Sequence, residues 1–341
     1  MRRPFRVFLA LVLLLTGLAA RAWAAEVNLY STRESGLIVP LLEKFTAATG
    51  IKVNTVFLSA GLAERVAAEG TSSPADVLLV ADIGTMVDAR NKNLLQLVRS
   101  AFLEAAIPAA LRAPDGSWFG LSLRARAIFV ARDRVVEPPA TYEALADARW
   151  RGKICLRSGQ HPYNTALFAA YLAKHGEAAT TAYLTALKAN LARRPAGGDR
   201  DVARDIFAGI CDVGLSNTYY AGLLLSGHGG AEQKRWGEAV RVVLPSFADH
   251  AGTHVNVSAA AIARHAPNRT EALRLLEWLV SPAAQQAYAE ANFEYPVRPN
   301  AAVHPIVARF GSLRLDNTKL DLVAANRERA SLLVDQTGFD R

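Results

Sequence analysis

The chain reads as an α/β protein of two lobes joined by strands that cross between them. Three observations carry this. Strand-like and helix-like segments alternate from residue 26 onward, which predicts a mainly parallel sheet with helices packed on it. The run Pro74-Ala-Asp-Val-Leu-Leu-Val80 is short and nearly all apolar, as in a strand covered on both faces. Two further extended runs, 121–131 and 254–262, stand far apart in sequence, and no Gly/Ser- or Pro-rich linker separates the lobes. Residues 26–121 with 250–300 are expected to form the first lobe, and 122–249 with 301–341 the second.

The elements follow in order. Glu26–Ser31 is a strand. Leu37, Leu41, Leu42 and Phe45 recur at helical spacing, and Gly50 suits the helix stop. Residues 51–57 alternate as a second strand, and the segment around Leu62 and Val66 is helical. Alternation repeats through 140–236. Extended patterns return at 242–247 and 254–262. Residues 268–290 and most of 305–335 are helical. A cleft between lobes, at the carboxyl ends of parallel strands, is the usual place for a ligand.

Residues 1–25 read as an export leader. Arg2, Arg3 and Arg6 precede the apolar run Val7–Ala20, and Ala22-Trp23-Ala24 fits a small-x-small cleavage pattern. The run is short for a membrane span, which needs ~20 residues. The mature chain is then expected to begin near Ala25 or Glu26, outside the cytoplasm, with a retained N-terminal anchor as the lesser alternative. The leader carries four Arg and no acid, so the balance of 39 basic to 31 acidic residues becomes 35 to 31, and +8 falls to +4. No dense basic run with interleaved aromatics supports nucleic-acid binding. The mild positive balance suits an anionic co-ligand.

Cys155 and Cys211 are the two cysteines, each eight residues before a tyrosine, Tyr163 and Tyr219. In an exported protein they invite a disulfide tying the two tyrosine-bearing segments together. A pair of buried thiols is the alternative.

Tyr219 and Tyr220 stand side by side in Gly214-Leu-Ser-Asn-Thr-Tyr-Tyr-Ala-Gly222. Neighbours on a helix point about 100° apart, so two phenols converge only where the backbone is irregular, as at a helix entrance. A phenol with an ordinary pKa of about 10 is a poor ligand until a hard, highly charged cation favours the phenolate. The pair is therefore a candidate Fe(III) site. Tyr163 lies in the Gly/Pro-punctuated loop Ser158-Gly-Gln-His-Pro-Tyr-Asn164. Tyr30 ends the first strand, as a ligand or a hydrogen-bonding wall residue. Glu34 offers a hard oxygen, or serves as a first-turn helix residue. Arg124 and Arg126, two apart in an apolar strand, face one side, and a guanidinium fork fits carbonate or a carboxylate. An ion pair is the bland reading of Arg124. Asp199 is expected to cap the helix beginning beside it. His250 and His254 read as hinge residues. No His-Glu-x-x-His, Gly-x-Ser-x-Gly or paired carboxylates suggest an enzyme.

The chain resembles the periplasmic ferric-ion-binding proteins of ABC importers, the bacterial transferrins, in their tyrosine-rich branch. The resemblance rests on Tyr30-Ser-Thr-Arg33, Phe45-Thr-Ala-Ala-Thr-Gly-Ile-Lys-Val53, Ser73-Pro-Ala-Asp-Val77, Leu123-Arg-Ala-Arg126, Trp150-Arg-Gly-Lys-Ile-Cys155, Tyr163-Asn-Thr-Ala-Leu167, Gly197-Gly-Asp-Arg200, Ser216-Asn-Thr-Tyr-Tyr220, Gly252-Thr-His-Val-Asn256 and Glu294-Tyr-Pro-Val297. These run in order through nearly the whole mature chain. The resemblance implies a two-lobed type II periplasmic-binding fold. It implies Fe(III) held by tyrosinates at Tyr163, Tyr219 and Tyr220, and a synergistic anion, often carbonate, at Arg124. Arg33 and the backbone near Ser158 are the next anion candidates. It also implies a monomer in the periplasm that hands iron to an ABC permease. Family members with a His or His-Tyr pair carry it four and five residues past Tyr30, where this chain has Glu34 and Ser35. A carboxylate often follows the strand matching 75–80, where this chain has Ala81 and then Asp82. Any first-lobe ligand would thus come from Tyr30, Arg33, Glu34 or Asp82. A binder of a small anion or ferric chelate on the same fold is the alternative function.

Overall fold

The structure, a computed structural model, describes residues 25–341, so the expected leader lies outside the described residues except for Ala25. Strand β1 is Glu26–Ser31. Helix α1, Ser35–Thr49, buries Ile38, Leu41, Leu42 and Phe45 and stops at Gly50, whose φ of 72° closes the helix by returning its amide to Thr46 O. Strand β2, Lys52–Phe57, and helix α2, Leu62–Glu69, follow. Strand β3, Val77–Val80, is buried along its length. Helix α3, Ile83–Asn91, is capped by Asp82, which accepts from Gly84 N, and α4 spans Ala101–Ala106.

Strand β4, Phe119–Ala131, is the long crossing strand and is wholly buried. Beyond it lie β5 (Ile154–Cys155), α5 (Pro162–Ala189, kinked at Gly176), α6 (Asp199–Phe207), β6 (Val213–Asn217), α7 (Thr218–Ser226), α8 (Gly230–Ala239) and β7 (Val240–Val243). The second crossing strand, β8 (Val255–Ile262), returns to the first lobe. Helices α9 (Arg269–Leu279) and α10 (Pro282–Asn292), the short β9 (Tyr295–Pro296), and α11 (Pro305–Ala308), α12 (Leu320–Ala325) and α13 (Arg327–Gln336) complete the chain.

The sheet runs β2-β1-β3-β8-β4-β6-β5, with β7 and β9 also pairing β4. It is not mainly parallel, as the alternation predicted. Pairs β1–β2, β1–β3 and β5–β6 are parallel, but β3–β8, β4–β6, β4–β7, β4–β8 and β4–β9 are antiparallel. The crossing strands run against the strands they join. Three other expectations shift for local reasons. The strand at 242–247 ends at Val243. The helix at 268–290 is two helices, because Pro282 lacks the amide to continue a ladder and Ser281 caps a new start. The helical stretch 305–335 is broken into α11, α12 and α13.

Two hydrophobic cores result. One gathers α1, β1, β3, β8 and α9. The other gathers the latter half of β4, α5, α6, β6 and α13. Leu123 and Ala125 pack in the first core and Ala127 to Ala131 in the second, so β4 itself spans the boundary. Registers agree: Arg124 lies opposite Asn256 of β8, whereas Arg126 lies opposite Asn217 of β6. Tyr142 locks this crossing point, its hydroxyl donating to Arg126 O and accepting from His254 N. Cys155 and Cys211 form a disulfide with Cα atoms 5.8 Å apart, joining β5 to the approach to β6. No helix among the described residues is long and apolar enough to cross a membrane.

Candidate metal centre

Strands β5 and β6 run parallel, so the helices that follow them, α5 and α7, begin at one end of the sheet. The α5 start is built by His161 and Pro162. His161 Nδ1 accepts from Tyr163 N at 3.2 Å, and Pro162 fills a first-turn position whose amide needs no partner. Tyr163 therefore sits in the first turn. Tyr219 and Tyr220 occupy the first turn of α7, the helix entrance expected for two converging neighbours. Their rings lie 4.1 Å apart, and the Tyr219 hydroxyl is 3.4 Å from that of Tyr163. Three phenols thus meet at two helix N-termini, where unpaired amides and the dipole favour negative charge. Among the described residues no group of three His, Cys, Asp or Glu could hold a metal, so phenols dominate the donor set.

The phenols resist ionisation. Burial raises the Tyr219 pKa well above the usual phenol range, and Tyr163 and Tyr220 raise it further. Burial, then Tyr163 and Asp199, raise that of Tyr220, against opposing pulls from Tyr219 and Arg157. A cation must therefore displace these protons to bind.

Arginines surround the trio. Guanidinium carbons of Arg157, Arg124 and Arg126 lie 5.2, 5.9 and 6.0 Å from the Tyr163 ring centre, and that of Arg200 lies 5.4 Å from the Tyr220 ring. Two buried clusters hold most of this charge. Arg33 pairs with Glu294 at 2.6 Å, Arg33 and Arg124 both donate to Ser258 Oγ, and Arg124 stands 3.9 Å from Glu294. Ser122 donates to Glu294, and Arg124 also donates to Ala81 O. In the second cluster Asp199 takes Arg126 at 2.6 Å and Arg157 at 3.2 Å. Each cluster sets two guanidiniums against one carboxylate and so keeps a positive excess. Burial alone would lower the Arg33 pKa, but Glu294, Tyr288 and Tyr219 outweigh it and raise it. Dry charge of this kind is costly to retain for stability alone. It suits an anion beside the phenols.

The structure sends the other expected residues elsewhere. The Tyr30 hydroxyl donates to Glu69 at 3.0 Å, with Arg65 over its ring, and burial followed by Glu69 raises its pKa. Glu34 is exposed at the start of α1 and caps nothing. Ser158 Oγ donates to Asp340 at 2.6 Å, while its carbonyl accepts from Asn164. Asp82 is taken by Asn256 and Arg327 and by its capping bond to Gly84. Asp199 does not cap α6 as its position suggested. Asp201 reaches back to Gly198 N, and Asp199 faces inward to Arg126. His254 is buried, and burial drops its pKa to about 4. Sequence reasoning missed Glu294, Arg157 and Arg200. The signal for the first was available: two arginines on an apolar strand call for buried carboxylates.

The two lobes touch beside the trio. A Cβ on Gly222 of α7 would come within 2.4 Å of Phe293 Cβ, at the end of α10, so only glycine admits this approach. Arg327 of α13 reaches Asp82, and Arg90 of α3 pairs with Asp321 at 2.9 Å. Cavities of about 380 and 550 Å³ lie elsewhere, beside the hinge, and none of the three phenols lines them.

Two cores, strands crossing between them and a polar site at their junction define a solute-binding protein. Residues 41–310 match the bacterial extracellular solute-binding protein family, and the chain belongs to that family. It is 40% identical over 316 residues to iron uptake protein A1 of Synechocystis sp., covering 92% of this chain and 87% of that protein. A Bordetella ferric binding protein superposes with a TM-score of 0.87 at 52% identity, covering 93% of this chain and 100% of that one. A Trichodesmium protein solved in complex with iron and citrate ligands gives 0.86 at 36% identity, covering 92% and 100%. The fold is the two-lobed type II periplasmic-binding fold.

Proposed function

We propose that this protein binds Fe(III) in the periplasm and delivers it to an ABC-type importer of the inner membrane. The observation that carries the reading is the convergence of Tyr163, Tyr219 and Tyr220 at two helix N-termini among buried arginines. Three phenolates balance the three charges of Fe(III), and hard oxygen donors suit that ion. The names of the similar proteins, for iron uptake and ferric binding, point the same way. The lobes, taken as 26–121 with 250–300 and 122–249 with 301–341, would close on the metal. A synergistic anion, carbonate by its fit to a guanidinium fork, would sit near Arg124 with Arg33 and the Ser158 backbone as further donors. Tyr30 would join only by leaving Glu69, and Glu34 only on closure. The protein acts as a monomeric carrier, not an enzyme.

A visible spectrum of purified protein titrated with Fe(III), with and without bicarbonate, tests this. A phenolate-to-iron band at one iron per chain supports it. Tight anion binding with no such band would replace it with the second reading, a binder of a small anion or ferric chelate, which the positive excess of the two arginine clusters favours.

A further inference from the structure

We propose that Arg126, held by Asp199, is the positioning residue that sets the three phenols at metal-binding distance within the second lobe. The inference rests on the reading of those phenols as Fe(III) ligands. The guanidinium joins the two tyrosine-bearing segments through an asparagine within two residues of a tyrosine in each. Its Nη2 donates to Asn164 Oδ1 at 2.6 Å, and Asn164 follows Tyr163. Its Nη1 donates to Asn217 Oδ1 at 3.1 Å, and Asn217 is the residue at the mouth of α7, just before Thr218 and the tyrosine pair.

Asp199 completes the hub. Its Oδ2 takes Arg126 Nη1 at 2.6 Å and the Asn217 amide at 2.8 Å. Asn164 in turn donates to the carbonyls of Arg157 and Ser158, fixing the loop that enters α5. The starts of α5, α6 and α7 are thereby tied to one planar group on β4. Arg126, Asp199, Asn164 and Asn217 are all at least nine-tenths buried. Every residue in the hub belongs to the second lobe, so the spacing of the phenols is set before the lobes close. Arg124, two residues earlier, makes its bonds to the first lobe instead. A lysine at 126 would keep the charge toward Asp199 but lose the fork that reaches both asparagines.

The test compares wild type, Arg126→Lys and Asn164→Ser, with Arg193→Lys as the structural control. Arg193 pairs with Asp205 in the same lobe, away from the asparagines. Fe(III) is titrated against citrate, and the phenolate-to-iron band is recorded per bound iron, alongside the melting temperature. Arg126→Lys and Asn164→Ser should each weaken iron binding roughly 10- to 100-fold, the usual effect of losing an outer-shell partner. Both should also shift or weaken the band per iron, while Arg193→Lys lowers only the melting temperature. Unchanged affinity and band in the folded variants, with only the melting temperature falling, would overturn the inference and leave Arg126 a stabilising ion pair. If Arg126→Lys does not fold, Asn164→Ser decides by the same two readings. A wild type that shows no band at all would overturn the iron reading, and this inference with it.

Discussion

Arg124 and Arg126 stand two residues apart on one strand and lie against the same Tyr163 ring, yet their guanidiniums are pinned to opposite lobes. Arg124 bonds to Ser258 and Ala81 of the first, Arg126 to Asp199, Asn164 and Asn217 of the second. The strand changes partners between them, from β8 to β6. One face of β4 thus offers a cation from each lobe to whatever enters the cleft.

Arg124→Ala should spare the fold, because Arg33 still pairs with Glu294. It should reduce the stimulation of iron binding by bicarbonate. Lysine should restore it only in part, since it brings charge without the fork. Equal stimulation in wild type and Arg124→Ala would move the anion to Arg33 or the Ser158 backbone. Iron titrations with and without bicarbonate give the answer.

Tyr163→Phe, Tyr219→Phe and Tyr220→Phe should each weaken Fe(III) binding by more than ~100-fold, beyond the range for losing an outer-shell partner. Tyr30→Phe should weaken it far less, and cost about 1 kcal/mol of stability through the lost bond to Glu69. Competition titrations that found the Tyr30 variant the most damaged would reverse the ranking.

Iron uptake should release protons, and affinity should fall as pH falls, because burial keeps Tyr219 and Tyr220 protonated until the metal arrives. A pH-stat titration measures the release directly. The sign for stability is opposite to that of an ion-paired carboxylate, whose pKa the fold lowers. Burial raises Tyr142, Tyr183 and Tyr219 in the fold, so their contribution is present below the unfolded phenol pKa of about 10 and is lost above it. Iron-free protein should lose melting temperature steeply above pH ~10. Iron-loaded protein, with its ligand phenols already ionised, should lose less.

Reduction of the Cys155–Cys211 bridge, which spans 56 positions, should destabilise the second lobe by at most about 4 kcal/mol on the chain-entropy argument. Melting curves with and without reductant test the size. Two free thiols titrated in unreduced, unfolded protein would end the claim.

Arg327→Ala should loosen contact between the lobes. Asp82 would keep Asn256 and its cap on α3, so the fold should hold. Small-angle scattering should show a larger radius of gyration, and iron should leave faster to a chelator. An unchanged radius would mean that the Gly222–Phe293 contact suffices.

Local features were legible from the chain. The helical spacing of Ile38, Leu41, Leu42 and Phe45 located α1, and Gly50 its end, because the residues that decide them are neighbours. The tyrosine trio was legible through the resemblance and through the helix-entrance context of Tyr219 and Tyr220. Pairings between distant segments were not. Nothing near Glu294 signals Arg33, and nothing near Asp199 signals Arg126. Asp199 even sits where a cap belongs, and only tertiary burial turns it inward. Strand direction failed for the same cause: alternation implies parallel neighbours, but it cannot show that β4 and β8 cross between bodies.

Those crossings also govern the order in which the molecule can be made. The first lobe needs β8, α9 and α10, and the second needs α13 near the carboxyl end. Neither is a continuous piece that could finish while the remainder is still being synthesised or translocated. Neither core can therefore close until nearly the whole chain is available, and the tyrosine cluster at their junction waits with them. A truncation that removed α13 would leave the tyrosine-bearing half without its closing helix, however intact the tyrosines themselves remained.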